Sequence, residues 1–143
     1  MFANRMLAGL GLIVAGSVSA QEVVTLTEVI PIGSGGVDVD DQGRIYLADF
    51  GETLSGSGTD LVRVLPDGTW SVLTSGLTGG SGNDFNSEGV LLQSNITVSR
   101  IDEIDQDGNQ TTLATSGIVG PVGIAVDEND DLLVCNCGNN TLR

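Results

Sequence analysis

Residues 36–51 read GVDVDDQGRIYLADFG, and residues 123–138 read GIAVDENDDLLVCNCG. The two stretches align without a gap: apolar residues alternate at first, an acidic turn follows, and a second apolar run ends in Asp49 or Asn136. A weaker copy, GNDFNSEGVLLQSN, occupies residues 82–95. Apolar alternation on both sides of a polar turn predicts two antiparallel strands in each copy.

Two further strands follow in the first two copies. Asp67-Gly68 and Asp107-Gly108 stand between apolar runs, and Asp-Gly in that setting is a strong signal for a hairpin turn. The copies repeat after 46 and then 41 residues, which is the period of the four-stranded blades of β-propellers. We therefore predict an all-β fold of four-stranded antiparallel blades in an incomplete ring. The predicted parts are a leading strand at 23–30, blades at 36–73 and 82–114, and a partial blade at 121–143.

About two and a half blades would leave two sheet faces uncovered. Closed propellers contain about four to eight blades, which bury such faces against one another. The sequence therefore predicts a shortened form of a longer protein. The less favoured alternative is a ring assembled from several copies of the chain.

The first twenty residues have the layout of a secretory signal peptide. A short segment whose only charge is Arg5 precedes an apolar run over residues 6–15, and small residues lead to Ala20. The apolar run is shorter than the ~20 residues of a transmembrane helix. We therefore predict cleavage before Gln21, export to the periplasm or the medium, and no membrane span in the mature chain.

The chain is strongly acidic. It has 19 Asp and Glu, 5 Lys and Arg, no His, and a formal net charge of −14. Such a surface repels nucleic acid and anionic lipid. It either attracts divalent cations or serves solubility in a salty medium. The lack of His also excludes a Ser-His-Asp triad and a His-based zinc site.

The two cysteines, Cys135 and Cys137, are separated by one residue. Side chains at this spacing on a strand point to the same face, and a disulfide across one residue is strained. We expect two free thiols that pack between sheets as small apolar side chains.

Residues 120–143, GPVGIAVDENDDLLVCNCGNNTLR, resemble an NHL repeat. That pattern is a Pro-x-Gly-apolar-Ala-Val-Asp strand, an apolar strand ending in Asp or Asn, then Gly-Asn-Asn and an apolar-basic strand. Residues 36–51 match it almost as well. The resemblance implies a six-bladed β-propeller of the NHL, SMP-30/gluconolactonase and strictosidine-synthase-like group. That fold carries lactonases, lyases and pure binding modules.

One motif resembles an enzyme more closely. Asn83-Asp84 is similar to the strand start of SMP-30-type calcium-dependent lactonases, in which such an Asn faces the central tunnel. A strand-end residue placed like Asp49 or Asn136 can be a metal ligand in that family. The resemblance therefore implies a Ca²⁺ site, with Asn83, Asp84, Asn136 and Asp49 as candidates. The family's first-blade glutamate is missing, since residues 34–36 are SGG.

Residues 38–49 also partly mimic an EF-hand loop, with oxygen-bearing residues at alternate positions, Gly sixth and an acid twelfth. The copy that starts at Ala125 lacks the first acid, and the flanking residues read as strands. The hairpin interpretation is therefore favoured, with Asp40, Asn86 and Asp127 as turn residues.

Two functions remain open, and with them whether the protein is an enzyme. The first is a non-catalytic exported propeller that binds a small molecule or a protein partner through its loop face. The second is a Ca²⁺-dependent lactonase or hydrolase of the SMP-30/gluconolactonase type. Neither involves a nucleic-acid partner.

Overall fold

The computed structural model describes residues 24–27 and 29–143, so the predicted signal peptide at 1–20 lies outside the described residues. A short 3₁₀ turn, Glu52–Leu54, is the helical element of this part of the chain. The strands are β1 (Ser34–Val39), β2 (Ile45–Asp49), β3 (Asp60–Val64), β4 (Trp70–Ser75), β5 (Gly80–Phe85), β6 (Leu91–Asn95), β7 (Arg100–Ile104), β8 (Gln110–Ala114), β9 (Pro121–Val126), β10 (Leu132–Asn136) and β11 (Thr141–Leu142).

Consecutive strands form three antiparallel sheets. Sheet 1 is β1-β2-β3-β4, sheet 2 is β5-β6-β7-β8, and sheet 3 is β9-β10-β11. Each sheet corresponds to one copy of the repeat, which confirms the predicted all-β fold of antiparallel blades in an unclosed arrangement. The described residues 24–27 and 29–30 contain no strand, so the leading strand predicted at 23–30 has no counterpart there.

The acidic turns have the hydrogen bonds expected of hairpins. Asp40 Oδ1 accepts from the backbone N–H of Gln42 at 3.0 Å and of Arg44 at 2.9 Å. Asn86 and Asp127 accept equivalent pairs of N–H groups in the other two sheets. Strands β1 and β2 pair directly across the first turn, so the hairpin interpretation is confirmed over the EF-hand alternative.

The sheets stack face to face, and apolar side chains fill the two seams between them. Because side chains alternate along a strand, each sheet has a front face, toward the next sheet in the chain, and a back face, toward the preceding one. The first seam buries Tyr46, Ala48, Leu61, Leu77, Leu91 and Ile104. The second seam buries Leu92, Ile101, Ile118 and Val134.

The first strands of the sheets, β1, β5 and β9, are the inner strands, and glycines let them approach backbone to backbone. A Cβ on Gly36 would lie 2.1 Å from the carbonyl oxygen of Ser81, and one on Gly82 would lie 2.4 Å from that of Val122. Real contacts are never so short, so any side chain at these positions would push the sheets apart. The glycines therefore set the spacing of the inner strands.

Two sheet faces have no sheet packed against them in the described part of the chain. Val37 and Val39, on the back face of sheet 1, are 61% and 52% exposed. Leu133 and Leu142, on the front face of sheet 3, are 42% and 66% exposed. The predicted pair of uncovered faces is therefore present.

Both cysteines are free and exposed, so the expectation that they pack between sheets is wrong for this structure. Cys135 occupies the front-face position that Ala48 holds in sheet 1 and Ser94 in sheet 2, both of which are fully buried. Its exposure follows from the lack of a sheet against sheet 3. Cys137 lies just after the end of β10.

The described residues include no helix long and apolar enough to cross a membrane.

Candidate functional site

A cleft of about 570 Å³ opens where the three inner strands begin. Phe50 and Leu54, from the segment after β2, form part of its wall. The inner strands contribute Ser34, Gly35, Gly36, Ser81, Gly82, Val122 and Gly123. Because the inner strands converge here, residues of all three sheets line one shared space.

Backbone and apolar groups dominate the walls of this cleft. Four of its nine lining residues are glycines, which leave peptide groups uncovered, and none of the nine is charged. Phe50 is partly buried, and Leu54 is 76% exposed at the rim. Such walls suit a neutral ligand with an apolar part and a few hydrogen-bonding groups.

Asn83 lies next to this cleft. Its side chain is buried, with the residue 8% exposed, and neither its Oδ1 nor its Nδ2 has a hydrogen-bond partner. Its Oδ1 lies 2.9 Å from the place that a Cβ on Gly36 would take, and Gly36 lines the cleft. An unpaired buried polar group is destabilising by about 1–3 kcal/mol, so this amide is costly where it stands.

Asn83 begins a row of buried polar side chains across sheet 2. The register pairs Asn83 with Gln93, and Gln93 with Asp102 on the next strand. Gln93 is 0% and Asp102 1% exposed, and Gln93 Oε1 has no hydrogen-bond partner. Asp102 Oδ2 accepts from Arg100 Nε at 2.9 Å and from Asn95 Nδ2 at 3.0 Å. We call Asn83, Gln93 and Asp102 the polar row.

The sequence analysis missed Gln93 and Asp102, although a signal was present. In sheet 1 the same three positions carry Val37, Leu47 and Val62, which pair in the same order. The sequence signal for the polar row is therefore a polar residue at a position that is apolar in another copy of the repeat. The first of the three, Asn83, was the only one singled out.

Asp49 and Asn136 hold the segments that lead into the inner strands of sheets 1 and 3. Asp49 Oδ1 accepts from the N–H of Gly33 at 3.0 Å, and its Oδ2 accepts from the N–H of Thr59 at 3.2 Å. Asn136 Oδ1 accepts from the N–H of Val119 at 2.9 Å. In both sheets the bond joins the end of the second strand to the segment before the inner strand. Both side chains therefore act as anchors for the local backbone.

Asp84 links two inner strands, as does the equivalent Asp38. Asp38 Oδ2 accepts from the N–H of Phe85 at 3.1 Å, and Asp84 Oδ2 accepts from the N–H of Val126 at 2.7 Å. Burial raises the pKa of Asp38, and the nearby Asp84 carboxylate adds to that rise. Both residues lie at the ends of the inner strands away from the cleft.

The four candidate metal ligands lie apart. Asn83 faces sheet 1, Asp84 faces sheet 3, and Asp49 and Asn136 end the second strands of sheets 1 and 3. Within residues 24–27 and 29–143, no three His, Cys, Asp or Glu side chains are grouped to hold a metal ion. Calcium binding stays a prediction.

Comparisons with known proteins bear on the fold. A family model described as the NHL repeat matches residues 119–143, which include all of sheet 3. The resemblance of this stretch to an NHL repeat is therefore confirmed. No curated protein matches the sequence.

Solved β-propellers share the arrangement of the three sheets. A streptogramin B lyase has a TM-score of 0.64 at 18% identity, over 77% of this chain and 36% of that chain. A gluconolactonase from Xanthomonas campestris has a TM-score of 0.61 at 19% identity, over 72% and 34%. A nidogen/laminin complex contains a chain with a TM-score of 0.61 at 19% identity, over 72% and 39%. The matched region is thus between 34% and 39% of the length of these structures, and the likeness concerns the fold alone.

Proposed function

We propose that this β-propeller chain, with an NHL repeat as its third sheet, is a binding scaffold that holds a ligand in the cleft at the start of its inner strands. The cleft itself carries the proposal, because its volume of about 570 Å³ falls within the range of about 300–1,000 Å³ typical of small-molecule sites. No lining residue is charged, so the walls offer no carboxylate for acid–base chemistry. Binding is the function that these walls support best.

The expected ligand is a neutral small molecule with an apolar ring or chain. Phe50 and Leu54 would cover the apolar part, and the uncovered peptide groups beside Gly35 and Gly82 would bond its polar groups. The net charge of −14 disfavours an anionic ligand. A protein partner on the same face is the other class, and one chain of similar fold was solved in a nidogen/laminin complex.

Titration with the neutral aromatic probe indole, followed by amide NMR, tests the cleft. We expect the amide signals of Gly35, Gly36 and Gly82 to shift, because these residues line the cleft. The signals of Gly43 and Gly89, in the acidic turns at the other end of the inner strands, should stay in place. Shifts spread evenly over both groups of glycines would count against a cleft-specific site.

A matched pair of substitutions localises the binding further. Leu54→Gln should weaken indole binding about fivefold, because a rim contact worth about 1 kcal/mol is lost. Leu65→Gln makes the same change at an exposed leucine in the β3–β4 turn, outside the cleft, and should leave the affinity unchanged. Equal weakening by both variants would place the probe on another apolar surface.

The second candidate is a Ca²⁺-dependent lactonase or related hydrolase. The observation that favours it is Asn83, a buried amide beside the cleft whose oxygen and nitrogen are both unpaired. An amide oxygen is a suitable Ca²⁺ ligand, and a fold neighbour is a gluconolactonase. The carboxylates that would complete such a site are not grouped in the described residues.

Calcium-dependent stability separates the two candidates. If Asn83 ligates Ca²⁺, adding CaCl₂ should raise the Tm more than NaCl at equal ionic strength, by RT ln(1 + [L]/Kd) in free energy. Asn83→Leu should abolish that difference, and hydrolysis of glucono-δ-lactone should depend on calcium in the parent only. No calcium-specific rise in Tm and no lactone hydrolysis would leave the binding scaffold as the function.

A further inference from the structure

The segment between β2 and β3 stands at the rim of the cleft and separates it from a second hollow. Leu54 lines the cleft, which has a volume of about 570 Å³. Glu52 and Thr53 line a neighbouring hollow of about 420 Å³, together with residues 30–33. Residues 52–55, which we call the tip, therefore have free space on both sides.

The tip is held firmly at both of its ends. Asp49 Oδ1 accepts from the backbone N–H of Gly51 at 2.9 Å, and Asp49 Oδ2 accepts from that of Thr59 at 3.2 Å. On the other side of the tip, the hydroxyl of Thr97 donates to the carbonyl oxygen of Gly56 at 2.8 Å. Movement of this segment is thereby confined to the tip.

Two glycines with positive φ flank the tip. Gly51 has φ 99° and ψ 153°, a combination that is essentially limited to glycine, and Gly56 has φ 71°. Glycine changes its backbone angles at low cost because it has no Cβ. The two residues are therefore suited to serve as hinges on either side of the tip.

The tip itself stores backbone strain. Thr53, with φ 53°, and Leu54, with φ 60°, are both in the left-handed region, which is costly for a residue with a Cβ and most of all for a β-branched one. The other non-glycine residues of the described chain with a positive φ are Ser99, Asp130 and Asn140. None of these three is β-branched or adjacent to another. Strain in the described residues is thus concentrated at the rim of the cleft, and segments that clamp ligands are where such strain is commonly stored.

Little in the structure compensates for this strain. The tip forms one 3₁₀ turn, closed by a bond from the N–H of Ser55 to the carbonyl oxygen of Glu52 at 3.1 Å, and no residue of the turn is buried. Leu54 is 76% exposed, so its side chain gains little from packing. An arrangement that placed Leu54 against apolar surface would both release the strain and bury that side chain.

We propose that the tip is a lid that closes over the cleft when a ligand is bound, with Leu54 turning onto the ligand while Thr53 and Leu54 leave the left-handed region. The inference rests on the proposed binding function of the cleft and adds a closing step to it. A ligand shifts the lid because Leu54 covers more of the ligand in the closed form than in the open one. Strain in the open form then contributes to the affinity, because binding releases it.

NMR tests the closure directly. A positive φ brings the amide proton of a residue close to its own α proton, so the NOE between these two protons is strong. Thr53 and Leu54 should show strong NOEs in the free protein, and both should weaken severalfold when indole saturates the cleft. Asn140, with φ 56° in the β10–β11 turn, should keep its strong NOE in both states and is the internal control.

Substitutions test whether strain drives the closure. Asn tolerates the left-handed region, so Thr53→Asn stabilises the open form and should weaken indole binding about fivefold. Thr53→Gly should weaken it at least as much, because glycine also adds flexibility. Asn140→Gly relaxes a left-handed residue outside the cleft lining and should leave the affinity unchanged. Weakening by Thr53→Gly but not by Thr53→Asn would overturn a closure driven by strain.

A failure of the lid can be told apart from a failure of the binding function. If indole shifts the amide signals of Gly35 and Gly82 while the NOEs of Thr53 and Leu54 stay strong, the cleft binds but has no lid. If the signals of these glycines stay in place, the binding function fails, and the free protein decides about the lid. Relaxation dispersion should then show exchange of Thr53 and Leu54 on the microsecond-to-millisecond timescale of lid motions, and Thr53→Asn should suppress it. The absence of this exchange would overturn the lid as well.

Discussion

At the scale of single residues, position within the repeat decides what a side chain does. Asp38 and Asp84 hold equivalent places and bridge to the next inner strand in the same way. Asp40 shows the opposite electrostatic balance: burial alone would raise its pKa, but hydrogen bonds from the backbone and guanidinium of Arg44 and from Tyr46 outweigh this and lower it. The pKa of Asp38, on β1, and that of Asp40, in the turn after it, are therefore shifted in opposite directions.

The raised pKa of Asp38 gives a pH-dependent prediction. A raised folded pKa means that ionisation destabilises the fold, so this contribution is favourable below the unfolded pKa and is lost as pH rises through the folded value. Asp38→Asn keeps an acceptor for Phe85 and removes the charge beside Asp84. We expect it to raise stability at pH 7 by up to about 1 kcal/mol, a modest value because Asp38 is partly exposed.

Urea unfolding of the Asp38→Asn variant and the parent between pH 7 and pH 4 measures this effect. The gain should shrink as the pH falls toward the pKa of Asp38, where the parent carboxyl becomes neutral as well. A gain that is constant with pH would mean that the asparagine acts through packing.

At the scale of strands and sheets, sheet 2 differs from its neighbours by the polar row. Its front face carries Leu92 and Ile101, which pack on sheet 3 as the repeat predicts. Its back face replaces three apolar residues with Asn83, Gln93 and Asp102. A folding argument alone does not account for this exchange, because unpaired buried polar atoms are destabilising.

Two variants separate the parts of the polar row. The double variant Asn83→Val with Gln93→Leu gives these two positions the residue types that sheet 1 has there. It should raise stability by about 1–3 kcal/mol, since unpaired buried atoms are removed. Asp102→Val should instead lower it by about 2 kcal/mol, because Arg100 and Asn95 lose their acceptor. Chemical denaturation of the purified variants measures both. A double variant less stable than the parent would show that the amides have partners, such as buried water.

The sequence predicts the strands and turns of each sheet well, and the reason is that they are local. Asp40 and Gly43 fix the first turn through contacts within a few residues, so a short window contains the information. The contact of Gly36 with Ser81 joins residues 45 positions apart, and no short pattern signals it. The backbone N–H groups that Asp49 and Asp84 accept from also lie in other segments of the chain, so a short pattern does not signal them. A metal-binding role for these two residues stays a prediction.

At the scale of the whole molecule, export stays a prediction, which rests on the signal-peptide layout of residues 1–20. The net charge of −14 disfavours binding to nucleic acid and to anionic membranes. Among the described residues, exposed apolar side chains lie at the cleft and on the two uncovered sheet faces, and also outside them, at Leu65, Val98 and Leu113.

Processing of the leader is the prediction at this scale. If residues 1–20 are a signal peptide, the protein recovered from the periplasm or medium of an expressing bacterium should begin at Gln21. Intact-mass measurement of the secreted and cell-associated fractions tests this. A full-length chain found only in the cytoplasm would contradict both the cleavage site and the predicted export.

The glycines of the inner strands have one more consequence. Each unit of 41 to 46 residues bears a glycine on the front of its inner strand, but the polar row makes the back face of sheet 2 unlike that of its neighbours. A tandem copy of sheet 2 would place Asn83, Gln93 and Asp102 against Leu92 and Ile101, which now pack on the apolar side chains of sheet 3. A copied sheet 3 would instead bring an apolar back face, so the choice of the copied unit decides whether a new blade fits without further change.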